Sequence, residues 1–250
     1  MNDERIYTAA VVVIGSEVLS GRVQDINVNF LALKLNERGV RLREVRIIAD
    51  DQQTIIDTVN ALRAQHDYVF STGGIGPTHD DITAESIAAA FGVALERNPQ
   101  AVAILEQYYG DRSNEARLRM ANIPAGGALL DNPVSRAPGF RLDNVYVLPG
   151  VPRIMQAIFD GLAPTLAGGR PVLSTVSAFV GESLVASGLE AIQGRYQDVE
   201  IGSYPYSRNQ RHGCALVSRC VDEKRLAAVT EEIVALLHSL DAELEIATSH

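Results

Sequence analysis

The sequence lacks the long apolar runs that mark membrane proteins and the leader that marks secreted ones. None of its apolar runs approaches the ~20 residues that a helix needs to cross a bilayer. Residues 1–5, MNDER, do not have the character of a secretory leader. We therefore expect a cytoplasmic protein with no membrane partner.

Cysteine is also scarce, with only Cys214 and Cys220 among 250 residues. The two fall in one alternating stretch at an even separation. This places both on one face of a strand, but too far apart along it to bond directly. We expect two buried free thiols, a state that fits a reducing compartment.

Positive charge is in short supply as well, because 22 Lys and Arg face 31 Asp and Glu, for a formal net charge of −9. Such a balance argues against a broad basic surface, so we expect no nucleic-acid partner. A phosphate-bearing ligand would have to be held locally, by backbone amides and a few basic side chains.

What the chain does contain is the composition of a folded globular protein, 46% hydrophobic and 21% charged. A length of 250 residues suits one large domain, alone or with a small one. The best candidate boundary is the sequence AGGRP at residues 167–171. We therefore predict a first domain at residues 1–168 and a second at residues 169–250.

The first domain alternates strand and helix patterns. An unbroken apolar run at residues 8–14 predicts a buried parallel strand, which ends at Gly15. A helical pattern from Asn27, a more polar strand at residues 42–48 and a helix capped by Asp51 follow. This alternation predicts an α/β fold, a doubly wound, mostly parallel, Rossmann-like sheet in three layers. In such sheets ligands bind at the carboxyl ends of the strands.

The second domain has a different order of patterns. A strand at residues 172–180 and a helix at 182–193 come first. Two strands, at 199–204 and 214–221, and a helix at 222–239 complete it. This βαββα order predicts a small α/β sandwich.

The most informative stretch is FSTGGIGPTHDDIT at residues 70–83. A short apolar run precedes its glycines and a helical pattern follows it, so the order is strand, glycine-rich turn, helix. That order brings backbone N–H groups and a helix N-terminus to one point. Gly73, Gly74 and Gly76 lack the Cβ that would keep a phosphate or carboxylate away. The stretch therefore predicts an anion cradle.

Asp80 and Asp81 lie at the mouth of this cradle, because we expect Thr83 to be the N-cap of the helix. Two carboxylates beside an anion repel it unless a cation or a reacting proton joins them. The pattern leaves a plainer alternative open, in which the glycines make a tight turn and the aspartates cap a helix.

The sequence TGGIGPTHDDIT resembles the signature loop of the MoaB/Mog molybdopterin-binding family, and especially of the branch at the N-terminus of the competence-damage protein CinA. Three further stretches support the resemblance in the expected order: residues 15–21 with 25–27, 132–140 and 148–152. The second domain resembles the KH-like middle domain of CinA proteins. It has no Gly-x-x-Gly loop after its first helix, which a KH module needs to bind RNA.

The resemblance implies a site whose residues are spread along all of these stretches. It implies catalytic roles for Asp81, Asp80 and Asp51, and a divalent metal (Mg, Mn or Co) on Asp50 and Asp81. It implies ligand-binding roles for residues in the turns and helix starts that follow the strands: Gly15, Glu17, Asn27, Thr72, Gly73, Gly74, Gly76, Thr78, Asn132, Arg136, Pro149 and Gly150.

Two activities follow from the resemblance. Mog-type proteins bind molybdopterin and adenylylate it, whereas CinA-type N-terminal domains are linked to metal-dependent hydrolysis of the pyrophosphate of ADP-ribose. Both ligands are small and phosphorylated. The CinA-like sequence of the loop favours the second activity. Relatives form dimers or trimers, so we also expect a homo-oligomer.

The chain departs from the family at two acidic positions. It has Ser16 where the family usually has Asp, and Ile154 where the family usually has Glu. Losing two carboxylates weakens cation binding and can abolish turnover while the phosphate cradle stays intact. Three hypotheses stay open: a binding domain for a phosphorylated nucleotide or pterin, a metal-dependent ADP-ribose pyrophosphatase, and a scaffold whose site has decayed.

Overall fold

The computed structural model describes residues 5–168, 172–208 and 210–245. These residues form two compact units, Arg5–Gly168 and the residues that follow it. No helix within the described ranges is both long enough and apolar enough to cross a membrane.

The first unit is built from strands and helices that alternate along much of its length. Its strands are β1 (Tyr7–Ile14), β2 (Val40–Ile48), β3 (Tyr68–Thr72), β4 (Leu95–Arg97), β5 (Asn122–Pro124), β6 (Ala128–Leu130), β7 (Gly139–Leu142) and β8 (Val145–Leu148). Its α-helices are α1 (Ser16–Leu19), α2 (Asn27–Glu37), α3 (Gln52–Arg63), α4 (Thr83–Phe91), α5 (Pro99–Tyr109), α6 (Glu115–Leu118) and α7 (Pro152–Leu162). Short 3-10 turns lie at Gly110–Arg112, Arg119–Ala121 and Ala163–Thr165.

Six of these strands form one sheet in the order β2-β1-β3-β8-β7-β6. The first four are parallel, whereas β7 and β6 run antiparallel at one edge. The predicted doubly wound, mostly parallel sheet is confirmed. The sequence did not predict β7, nor β4 and β5, which pair with each other outside the main sheet. Three- and four-residue strands are too short to show an alternating pattern.

The central strand β1 shows why helices cover both faces of the sheet. Its residues alternate between two apolar clusters: Ala9, Val11 and Val13 in the first, Ala10, Val12 and Ile14 in the second. Helices α2 and α7 supply much of the first cluster, and α3 and α4 supply much of the second. A strand covered on both faces must be apolar at every position. The unbroken apolar run of the sequence follows from this placement.

Two helix N-caps were predicted, and one of these predictions was wrong. Asp51 caps α3 as expected, since its Oδ1 accepts the N–H of Thr54 at 2.8 Å. Thr83 is not the cap of α4, because Ile82 occupies that position and Thr83 is the first helical residue. The Thr83 side chain is buried, and its hydroxyl donates to the carbonyl of Gly73 at 3.0 Å. That hydroxyl therefore ties the glycine turn to the helix instead of closing the first helical turn.

The second unit is a smaller sheet with two helices. Its elements are β9 (Val172–Phe179), α8 (Glu182–Arg195), β10 (Glu200–Arg208), β11 (Arg211–Cys220), α9 (Glu223–Ser239) and β12 (Glu243–Glu245). The strands lie antiparallel in the order β10-β11-β9-β12. The βαββα order is confirmed, and the short strand β12 was not predicted. Cys214 and Cys220 on β11 are buried free thiols as predicted, and burial raises the pKa of both.

Candidate functional site

Three neighbouring parallel strands of the first unit end at one edge of the sheet and turn there in close contact. The turns after β1, β3 and β8 begin at Gly15, Gly73 and Pro149, and Gly73 N–H donates to the carbonyl of Leu148 at 3.0 Å. A Cβ on Gly73 would lie 2.1 Å from the carbonyl oxygen of Ile14. The three strand ends therefore pack so tightly that the middle turn requires glycine.

The turn after β3 continues into a loop of residues 73–82, which we call the glycine loop. Gly73 and Gly74 have φ of +104° and +66°, and the Thr83 N–H donates to the Gly74 carbonyl at 3.0 Å. These two glycines are needed for the turn itself, because L residues rarely adopt such angles. Among the described residues, none accepts a hydrogen bond from the N–H groups of Gly74, Ile75 or Gly76. Those three N–H groups are therefore free to donate hydrogen bonds, the kind of group that anions accept from.

Gly76 has a different role from the first two glycines, because it leaves room for a carboxylate. A Cβ there would lie 2.7 Å from Oδ2 of Asp81. The same oxygen accepts the Thr78 N–H at 2.8 Å and also accepts the Thr78 hydroxyl. Asp81 is thus folded into the glycine loop. The Asp80 side chain is 69% exposed, its Oδ1 lies 4.0 Å from Nδ1 of the exposed His79, and hydrogen bonding with the Thr78 side chain lowers the pKa of its carboxyl.

Asp50 and Asp51 follow β2 and are both engaged with backbone. Oδ2 of Asp50 accepts the Ser16 N–H at 2.8 Å, which holds the turn after β1. The Thr54 hydroxyl and N–H, which both donate to Asp51, lower the pKa of that carboxyl. In the described part of the chain, no three His, Cys, Asp or Glu side chains lie close enough together to hold a metal ion. The Asp50 and Asp81 metal site stays a prediction.

A small pocket lies on the α2 side of the glycine loop, and we call it the inner pocket. It measures about 80 Å³ and is lined by Glu17, Asp25, Asn27, Thr72 and Gly150 among others. The Asn27 side chain is buried, and its Nδ2 donates to the Gly150 carbonyl at 2.8 Å. Its Oδ1 is buried without a hydrogen-bond partner, and so is the hydroxyl of Thr72. Two residues that line the inner pocket therefore carry buried oxygens with no hydrogen-bond partner among the described residues.

A second depression lies on the α4 side of the loop, and we call it the outer cleft. It measures about 240 Å³ and includes Gly76, Thr78 and Asp81 in its lining. Its other walls come from β4, β5, β7 and the 3-10 turn Arg119–Ala121. No motif marked those walls in the sequence, because they come from short elements as many as 60 residues further along the chain.

Asn132 and Arg136 lie in the turn between β6 and β7 and line neither depression. Asn132 is buried, with its Nδ2 donating to Ser135 Oγ and to the Ala137 carbonyl, both at 2.7 Å. Its Oδ1 accepts the N–H groups of Val134 and Ser135. Asn132 therefore shapes its own turn. Arg136 has φ of +62° and an exposed side chain 3.7 Å from the carboxylate of Asp131.

The structure thus brings some of the predicted residues together and leaves others apart. The inner pocket gathers Glu17, Asn27, Thr72 and Gly150, and the outer cleft gathers Gly76, Thr78 and Asp81. Gly15, Gly73, Gly74 and Pro149 build the turns between them. Asp50, Asp51, Asp80, Asn132 and Arg136 line neither space.

Two family profiles match the chain. Residues 10–168 match the profile of a probable molybdopterin binding domain, and residues 171–243 match the FAD synthase middle domain. A crystal structure of the CinA protein of Thermoplasma acidophilum, whose function is unknown, superimposes with a TM-score of 0.60 at 33% identity. It covers 64% of this chain and 99% of that one.

Two curated relatives extend across both units. A putative competence-damage inducible protein of Symbiobacterium thermophilum is 31% identical over 245 residues, which are 90% of this chain and 57% of that one. A probable FAD synthase of Caenorhabditis briggsae is 30% identical over 258 residues, which are 92% of this chain and 49% of that one. The chain therefore spans about half the length of these two relatives.

Proposed function

The chain belongs to the family of probable molybdopterin-binding domains, in its CinA-like branch, and from that premise we propose that the glycine loop binds a phosphorylated nucleotide or pterin. The phosphate groups lie against the N–H groups of Gly74, Ile75 and Gly76, which have no acceptor among the described residues. Backbone amides suit this task because the chain carries a net charge of −9 and has no broad cationic surface.

The observation that carries the proposal is the pair of unpaired oxygens in the inner pocket. Buried polar atoms in folded proteins are nearly always hydrogen-bonded, and each unpaired one lowers stability. Asn27 Oδ1 and Thr72 Oγ1 are both unpaired, and both line a pocket beside the glycine loop. A ligand hydroxyl or ring N–H satisfies the first, and a phosphate or sugar oxygen satisfies the second.

The favoured ligand class is a nucleotide pyrophosphate such as ADP-ribose or FAD. The match of residues 171–243 to the FAD synthase middle domain supports it, because FAD itself carries a pyrophosphate. A pterin such as molybdopterin is the second candidate, and the profile that matches residues 10–168 supports it. Both candidates place phosphate at the glycine loop and a planar ring beyond it.

Hydrolysis of the pyrophosphate is the finer part of the proposal, with Asp81 as the carboxylate at the loop. Magnesium is commonly held by one or two carboxylates together with the phosphate oxygens of the ligand, so a complete cage of protein ligands is not required. Two of the expected acids are missing at Ser16 and Ile154, and the Ile154 side chain packs against the first apolar cluster. A carboxylate at that position would be placed against apolar side chains. Any metal therefore depends on Asp81, on the other predicted ligand Asp50, and on the phosphate oxygens of the ligand.

The test is a calorimetric binding series on the parent protein. ADP-ribose, FAD, adenosine and riboflavin are each titrated with and without Mg²⁺, Mn²⁺ or Co²⁺, and the products are analysed for phosphate monoesters. We expect the two phosphorylated ligands to bind and the two phosphate-free ones to bind much more weakly. Equal affinity for ADP-ribose and adenosine, or no binding at all, would contradict the proposal.

A further inference from the structure

The outer cleft has an apolar floor, residues of the glycine loop along one side, and both polar and apolar side chains on its other walls. Ile123 and Phe140 are only 3% and 1% exposed and form its floor, while Leu95 and Met120 stand at its sides. Ile75 of the glycine loop completes the apolar lining. Broad apolar surfaces of this kind suit a planar ring, and the flexible Met side chain adapts its sulfur to aromatic edges.

The size of the cleft limits what it can hold. At about 240 Å³ it is smaller than the roughly 300–1,000 Å³ of pockets that bury a whole drug-sized ligand. It can take one ring system but not a complete dinucleotide. The rest of such a ligand must extend out of the cleft, and Gly76 and Asp81 mark the side on which the glycine loop lies.

The polar side chains that line the cleft include both donors and acceptors: Arg119 and Asn122 can donate hydrogen bonds, and the carboxylates of Asp81 and Glu85 can accept them. The Arg119 side chain is exposed, and its guanidinium makes no hydrogen bond or close ion pair with any described residue, although its charge helps to lower the pKa of Glu115. The Oδ1 of Asn122 accepts Nε of Arg97 at 3.2 Å, so its amide N–H₂ is the group left for a ligand. Arg97 is itself held by Glu115, with Nη1 to Oε2 at 3.1 Å and Nη2 to Oε1 at 2.6 Å. Asn122 is therefore oriented before any ligand arrives.

We propose that the outer cleft binds the planar heterocycle of the ligand and that Arg119 and Asn122 donate hydrogen bonds to its acceptor atoms. This inference rests on the proposed function, because it assumes that phosphate lies at the glycine loop. Ring nitrogens and carbonyl oxygens of purines, pterins and flavins are the matching acceptors. Leu95, Met120 and Arg119 then determine which ring is accepted, and the glycine loop does not.

The test compares ligands that carry a planar heterocycle together with phosphate against ligands that carry phosphate alone. ADP-ribose and FAD belong to the first kind, whereas inorganic pyrophosphate and ribose 5-phosphate have no planar heterocycle. The variants are Leu95→Glu, which places a carboxylate in the cleft, and Arg119→Ala, an exposed change that leaves the apolar packing intact. Arg112→Ala is the matched control, since Arg112 is an exposed cation in the same stretch of chain that does not line the cleft.

We expect both cleft variants to weaken binding of ADP-ribose and FAD by about tenfold or more, the equivalent of one good contact. Their affinity for pyrophosphate and ribose 5-phosphate should stay at the parent value, and Arg112→Ala should bind all four like the parent. Circular dichroism and thermal unfolding show whether each variant is folded. If Leu95→Glu unfolds, the comparison of Arg119→Ala with Arg112→Ala decides the matter alone.

Three results would overturn the inference. Unchanged ring binding in Arg119→Ala and Leu95→Glu would show that the ring lies elsewhere, with the proposed function intact. An equal loss of affinity for pyrophosphate and for FAD in Arg119→Ala would show that this side chain contacts the phosphates and not the ring. A parent that binds none of the four ligands would remove the proposed function and this inference together.

Discussion

The inner pocket and the outer cleft are lined by residues on either side of the turn that follows β3, but they are built in different ways. The inner pocket is small, and its Asn27 and Thr72 oxygens are buried and unpaired. The outer cleft is larger, has Ile123 and Phe140 in its floor, and has Arg119 and Glu85 among the charged side chains of its walls. Buried polar atoms select a few ligand atoms by position, whereas an apolar floor accepts any flat ring of suitable size. We therefore propose that the two spaces recognise different parts of one ligand.

The substitution expected to disrupt the inner pocket and the outer cleft together, with the largest effect, is Gly73→Ala. Gly73 has φ of +104°, and a Cβ there would press on the Ile14 carbonyl. We expect the free energy of unfolding to fall by about 3 kcal/mol or more, from steric overlap added to backbone strain. Urea unfolding followed by circular dichroism measures it.

Gly21→Ala is the matched control for that substitution. Gly21 also has a positive φ, +72°, but nothing lies within 4 Å of the position of its Cβ. Backbone strain alone should cost about 1–2 kcal/mol. If Gly73→Ala costs no more than Gly21→Ala, the tight contact between the strand ends does not exist.

Asp81→Asn separates the two sides, because Asp81 lines only the outer cleft. The amide keeps an oxygen for the Thr78 N–H but loses the negative charge. If the loop supports hydrolysis of ADP-ribose or FAD, we expect turnover to fall about 100-fold or more while the fold is retained. Product formation measured by chromatography gives the rate.

Asp80→Asn provides the comparison for Asp81→Asn. The Asp80 side chain is 69% exposed and does not line the cleft, so turnover should change little. An equal loss of turnover in both variants would show that turnover depends on the total negative charge of the loop. The position of Asp81 within the loop would then not matter.

Asp67→Asn, a substitution at the opposite end of the sheet, should not change ligand binding at the inner pocket or the outer cleft. Asp67 precedes β3, and although burial alone would raise its pKa, hydrogen bonds from the Thr8 N–H and hydroxyl and the charge of Arg5 bring that pKa below its ordinary value. The resulting stability is present above about pH 4, the unfolded pKa, and is lost as the pH falls through the lower folded pKa. Asp67→Asn should lower the free energy of unfolding at pH 7 by about 1 kcal/mol.

The same variant should show a shallower loss of stability between about pH 4 and pH 2, which thermal unfolding across that range would reveal. Ligand affinity at pH 7 should match the parent. A variant with the parental acid profile would show that Asp67 contributes nothing to stability. A variant that binds ligand weakly would show that the two ends of the sheet are coupled.

The inner side of this comparison was more predictable from sequence than the outer side. The apolar run of β1 and the glycine turn after β3 are local patterns, and parallel strands bring their carboxyl ends to one edge. Thr72 ends β3 and Asn27 begins α2, so both residues lie in local motifs that can be recognised in the sequence. The sequence could not show that Thr83 would bond the Gly73 carbonyl instead of capping α4, because both uses of a hydroxyl fit the same spacing.

The walls of the outer cleft could not be predicted from the sequence, and the reason is physical. Leu95 and Asn122 lie in three-residue strands, and Arg119 and Met120 lie in a 3-10 turn. Elements of that length have no hydrophobic period, and only tertiary packing places them beside the glycine loop. Asn132 shows a related limit, since a sequence does not reveal whether an asparagine will bond a ligand or its own turn.

The most direct test of the central claim compares two buried hydroxyls on neighbouring residues of β3. Thr72 and Ser71 are both buried without a hydrogen-bond partner, but only Thr72 lines the inner pocket, because successive residues of a strand face opposite sides. Calorimetry with ADP-ribose or FAD would be carried out on the parent, Thr72→Val and Ser71→Ala. We expect Thr72→Val to bind about 5- to 10-fold more weakly without losing stability, the effect of one lost hydrogen bond, while Ser71→Ala binds like the parent. Equal affinity in all three proteins would contradict the assignment of the inner pocket to the ligand.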